Sequence, residues 1–167
     1  HVPAQPTDRE DLVVLARVTP TLRPISSVTL RYRVMYGAET AVVMYDDGAH
    51  ADGGAGDQLY GGRIPATASL PGQMVRYYLV ATDANLQQTR SPTYADPTGS
   101  PQYYGTVVPA TELTNSRLPV LHWFLQTPGA ADSDATARCA LFFQGEFYDN
   151  IGANVHGQST RGFPKKS

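Results

Sequence analysis

The sequence predicts a mainly β chain, an antiparallel β-sandwich followed by a smaller β-rich, α+β segment. Two stretches carry that prediction. Val28, Leu30, Tyr32 and Val34 alternate with Thr29, Arg31, Arg33 and Met35, and Val75, Tyr77, Leu79 and Ala81 alternate through the run from Met74 to Thr82. A two-residue period sends one set of side chains to a core and the other to a wetter face. The third observation is compositional. Across 167 residues, 13 Pro and 15 Gly punctuate short apolar runs, and 10 Tyr suit a pleated surface. No stretch holds a convincing helical period.

Taken in order, residues 1–10 are polar and Pro-punctuated, which predicts an extended arm. Leu12 to Val18 reads as a strand closed by Pro20 and Pro24. The alternation at Val28–Val34 turns at Gly37 into a strand from Thr40 to Tyr45, and Gln87 to Tyr94, broken by Pro92, follows the second alternation. Strands at this spacing predict an immunoglobulin-like or fibronectin-like sandwich over residues 11–95. Residues 96–117, opening on Asp96-Pro97-Thr98-Gly99-Ser100-Pro101, read as a connector that holds one short strand, Tyr103 to Val108.

The segment 118–167 forms the second unit. Leu118 to Leu125 is strongly apolar and reads as a buried strand, with Trp123 as a core anchor and His122 as a core or interface histidine. Asp132 or Ser133 is placed to cap a short helix. Cys139 to Phe143 and Glu146 to Asn150 read as a hairpin around Gln144-Gly145, and Ile151 to His156 continue the sheet. Cys139 is the one cysteine, so an intrachain disulfide is impossible, and its apolar neighbours predict an inert buried thiol.

Charge excludes several partners. Charged residues make up 17%, against a typical share of about 25%, and the net charge is −2. That balance gives no electrostatic case for nucleic acid or an anionic membrane. No apolar run approaches the roughly 20 residues that span a bilayer.

One loop concentrates acid. Between Tyr45 and Tyr60 lie Asp46, Asp47, Asp52 and Asp57, spaced by Gly48, Gly53, Gly54 and Gly56. Carboxylates this close repel unless a cation or donated hydrogen bonds neutralise them. Two readings follow: a hard oxygen site for Ca²⁺ built from these four, or a turn network in which each Asp caps backbone N–H groups. The five-residue spacing of Asp47, Asp52 and Asp57 is not that of an EF-hand. His50 reads as a solvated side chain rather than a ligand for a softer metal. The segment through Ile64-Pro65 resembles a loop recurring in immunoglobulin-like domains of bacterial secreted proteins.

The end of the chain carries a second resemblance. Gly157-Gln158-Ser159-Thr160 and Pro164-Lys165-Lys166-Ser167, with the apolar opening at Pro119-Val120, resemble the first β-structure of the CotH (spore-coat protein H) kinase-like family. His156 stands where that family often has an arginine. The resemblance implies that Lys165 and Lys166 lead toward a nucleotide-phosphate site whose metal-binding carboxylates lie downstream, so no catalytic residue is expected within the chain as given. The functional expectation is a non-catalytic extracellular or cell-surface module of a CotH-like secreted protein, with protein as its partner. The alternative is a structural subunit that builds a filament by strand pairing between copies. An ATP-dependent kinase is the least supported alternative.

Overall fold

A computed structural model describes residues 1–113, 115–131 and 135–154. Its strands are β1 Leu12–Arg17, β2 Ile25–Val34, β3 Thr40–Met44, β4 Leu59–Ile64, β5 Met74–Asp83, β6 Gln88–Ser91 and β7 Tyr104–Val107, followed by β8 Leu121–Leu125, β9 Ala137–Phe143 and β10 Glu146–Ala153. One helical turn, α1 (Pro128–Ala131), lies between β8 and β9.

Seven strands build an immunoglobulin-like sandwich. One sheet is β1-β4 and the other runs β3-β2-β5-β6, with β7 on the same edge of β5 as β6. All pairings are antiparallel. β6 takes the part of β5 from Leu79 to Thr82, and β7 takes Met74 to Tyr77. The predicted alternations hold: Val28, Leu30, Tyr32, Val75 and Tyr77 enter one buried cluster with Leu12, Val14, Met44 and Ile64, and Leu79 and Ala81 pack against it. Each such large apolar side chain contributes about 1.5–3 kcal/mol when fully buried. β6 stops at Ser91 because Pro92 has no N–H to continue the ladder.

The strand that sequence patterning overlooks is β4. Its Leu-Tyr-Gly-Gly-Arg-Ile run reads as the tail of the aspartate loop, because paired glycines usually mark a turn. Here the glycines serve close approach. A Cβ at Gly61 would lie 2.2 Å from the His50 carbonyl oxygen, and one at Gly62 would lie 2.8 Å from Met44 Cγ. Gly61→Val is therefore expected to cost about 1–3 kcal/mol by forcing the loop away. Urea unfolding measures this, and an unchanged midpoint would show that the loop does not pack there.

The remaining strands form a three-stranded sheet, β10-β9-β8. Its pleat divides it into two faces. Phe124, Ala140 and Phe142 turn toward the sandwich and share a buried cluster with Met74 and Val107, closed by Met35, Tyr36 and Phe147. The other face carries Leu121 and Trp123, paired with Phe143 and Leu141. Trp123 is 55% exposed, which corrects its assignment as a core anchor. Strand periodicity explains the difference: one apolar run alternates faces, and Phe124 rather than Trp123 has the inward register.

Candidate functional site

Two polar constellations stand out. The first is the aspartate loop. Asp52 is fully buried. Its Oδ2 accepts N–H bonds from Asp47 and Gly48 at 2.6 and 2.9 Å, and its Oδ1 accepts from His50 at 2.8 Å. Asp46 accepts from the amides of Gly56, Asp57 and Gln58. Asp57 accepts from Gly54 and Leu59, and Asp47 from Ala49 and the His50 ring. The His50 ring stacks on Tyr45 at 4.5 Å. Every one of the four carboxylates is thus engaged by donors of its own loop. Among the described residues, no three His, Cys, Asp or Glu side chains group at metal-binding distance.

Burial alone would raise the Asp52 carboxyl, but the amides of Gly48, His50, Asp52 itself and Asp47 outweigh it and hold the group below the ordinary aspartate value. The sign follows from that depression. The carboxylate's stabilising contribution is complete above the unfolded value of 3.8 and is lost as pH falls through the lower folded value. The stability gap between the parent chain and Asp52→Asn, from urea unfolding followed by circular dichroism at a series of pH values, should hold constant from neutral pH down to the unfolded value of 3.8 and shrink below it. A gap that stays constant down to strong acid would contradict this.

The second constellation joins the sandwich to the three-stranded sheet. Arg76 points out of β5 into a nearly sealed space, with its side chain 5% exposed and that of Asp149 3% exposed. Arg76 Nη1 lies 3.3 Å from Asp149 Oδ1, while Nε and Nη2 donate to the Met35 carbonyl. The guanidinium is held 4.4 Å from the Tyr36 ring and 4.8 Å from the Tyr103 ring, within cation–π range. Asp149 Oδ2 accepts the amides of Gln102 and Tyr103 at 2.9 and 2.8 Å. Tyr36 completes the seam by donating its hydroxyl to the Phe124 carbonyl. Burial draws the Arg76 pKa down and Asp149 opposes that, yet a guanidinium stays charged at any ordinary pH.

Residues 95–103 clamp this junction. Asn150 donates to the carbonyls of Pro97 and Ser100, and Arg138 donates to that of Pro97. Gly105 lies so close to Phe147 that an added Cβ would meet its ring at 2.6 Å. Sequence reasoning could not find this pair, because nothing in the spacing of Arg76 and Asp149 links them. An arginine set between Met74 and Tyr78 on one face of an alternating strand was the single available hint.

The other sequence-derived candidates fall as follows. Cys139 is buried and carries no disulfide. His122 is half-buried beside Phe124 and Phe142, and burial lowers its pKa. Asp132 and Ser133 lie outside the described residues, as do the motif residues Gly157, Gln158, Ser159, Lys165 and Lys166.

Residues 1–82 match the family model described as the second immunoglobulin-like domain of conditioned medium factor. That match covers the arm and β1 to β4 and ends within β5, leaving β6 to β10 outside it. No curated protein and no solved structure matches the chain.

Proposed function

We propose that the chain is a non-catalytic binding and support module of an extracellular protein, in which the immunoglobulin-like sandwich holds the three-stranded sheet in a fixed orientation. The observation that carries this is the sealed Arg76–Asp149 pair, with the mixed cluster around Phe142 beneath it. A flexible tether would leave such a junction wet and its charges exposed. In this reading residues 96–117 join the units 11–95 and 118–167, adding β7 to the sandwich sheet and clamping the junction through residues 97–103. The name of the matched family, conditioned medium factor, supports a location outside cells. The CotH-like residues Gly157, Gln158, Ser159, Lys165 and Lys166 support the further proposal that the small sheet opens a kinase-like domain.

Incubating the purified chain with labelled ATP and Mg²⁺ tests the non-catalytic part. No phosphate transfer is expected, and transfer to the chain or to an added protein would contradict the reading.

A second reading, assembly by strand pairing between copies, is favoured by the outer strands β8 and β10, each of which pairs on one side alone among the described residues. Light scattering separates the two. A monomer is expected for the support module, and ordered filaments would favour assembly. For the aspartate loop, a Ca²⁺ site at Asp46, Asp47, Asp52 and Asp57 is the alternative to a cap network. With the amide donors already in place, Ca²⁺ titration should release no heat and EDTA should leave Tm unchanged. A saturable heat with a rise in Tm would establish the cation site.

A further inference from the structure

The backbone passes from the sandwich to the small sheet through one exposed stretch. On the sandwich side the last anchor is Val108, whose N–H and C=O bond the Gln73 carbonyl and the Gly72 amide at 2.9 and 2.7 Å. On the other side β8 begins at Leu121. Between these anchors every described residue from Thr111 to Pro119 is exposed, and Leu118 is 77% exposed. The Ser116 N–H donates to the Leu113 carbonyl, and the Ser116 hydroxyl donates to the Leu118 carbonyl and accepts the Leu118 N–H. All three bonds close within the stretch, so opening it disturbs neither core.

Arg117 stands in the middle of this stretch. No lysine occurs among the described residues, and every described arginine other than Arg9, Arg23 and Arg117 lies within a strand. Arg23 is followed by Pro24, whose ring takes the place of the N–H at the bond to be cut. Arg9 stands just ahead of β1, and both its flanks are pinned. Val2 pairs with Val13, and Asp11 accepts the Arg63 guanidinium and the Ala66 amide. Among the described arginines, Arg117 therefore has free chain on both sides and the others do not. Pro119 adds to this, because it disfavours helical backbone at Leu118 and favours the extended form that a protease cleft takes.

We propose that the Arg117–Leu118 bond is a processing site for an extracellular endoprotease that selects arginine through a carboxylate in its own cleft. Water adds across the amide. Its oxygen joins the Arg117 carbonyl carbon, the C–N bond breaks, and the nitrogen leaves as the Leu118 amine. The new carboxylate and ammonium form in solvent and enter neither core. The products are 1–117, with all seven sandwich strands, and 118–167, with β8 to β10. They stay together as a two-chain protein through the Arg76–Asp149 pair, the Tyr36–Phe124 bond and the cluster around Phe142. Processing thus replaces a permanent link by a reversible one. The retained pairing rests on the support-module reading; the position of the cut does not.

Trypsin, at a low ratio to the native chain, is the probe. The first cut is expected after Arg117, read as a new N-terminus at Leu118. Its rate should lie within about a hundredfold of that for a synthetic peptide of residues 111–120, because no strand has to open first. Arg117→Gln and Leu118→Pro, both at exposed positions, should each slow this cut at least about a hundredfold, and Arg117→Lys should keep it. After the cut, Trp123 fluorescence marks the smaller fragment, which should travel with the larger one in gel filtration until urea is added.

A first cut after Arg9 or within a strand, a rate slower than that range, or unchanged cleavage of either blocking variant would overturn the site. Fragments that part in native buffer would overturn the retained pair, and the support-module reading with it, while leaving the position of the cut intact.

Discussion

Asp149→Ala is expected to destabilise the chain by about 3–5 kcal/mol, as loss of one partner from a buried ion pair does. The carboxylate is the counter-charge for Arg76, and its removal leaves a guanidinium sealed among Met35, Tyr36 and Tyr103. It also removes the acceptor for two amides, those of Gln102 and Tyr103. Urea unfolding supplies the measurement. The double variant Arg76→Met/Asp149→Ala sharpens it, because removing both charges should recover part of the loss. A single variant as stable as the parent would show that the junction is solvated and that the two parts are not held together by it.

Phe142→Ala should cost a similar amount, about 3–5 kcal/mol, because it empties the centre of the second core. The Phe142 ring is buried with Met74 and Val107 of the sandwich as well as with Phe124 and Ala140 of its own sheet. The consequence reaches beyond the small sheet. The variant should lower the unfolding midpoint reported by the whole chain, and it should couple non-additively with Asp149→Ala, because both act on one interface. A loss confined to a separate minor transition, with the major one unchanged, would contradict a shared core.

How far the sequence carried the structure depends on the range of the interactions involved. Alternation at Val28–Val34 and Met74–Thr82 is local, and it located the inner strands and their buried residues before any tertiary contact was known. The hairpin at Gln144-Gly145 was legible because a glycine closes the apolar Cys139–Phe143 run, and both turn residues take positive φ. Leu59–Ile64 was not legible as a strand, because the need for glycine at Gly61 arises from His50, which local patterning cannot place against it. Trp123 was misplaced because size and apolarity do not reveal register; pairing with Leu141 does. At the aspartate loop the clustering of Asp46, Asp47, Asp52 and Asp57 was evident, but which oxygen meets which amide depends on the fold of Gly48–Gly56. The junction lay furthest from sequence reach, since Arg76 and Asp149 come from separate sheets.

Sandwich and small sheet locked into one body through the Arg76–Asp149 junction must unfold together. The chain has a single tryptophan, Trp123, on β8, so its fluorescence reports the small sheet, while far-ultraviolet circular dichroism is dominated by the larger sandwich. Equilibrium urea unfolding followed by both probes on one sample is therefore the most direct test. One transition with coincident midpoints and slopes is expected. Loss of the Trp123 signal at clearly lower urea than the circular dichroism change would contradict it.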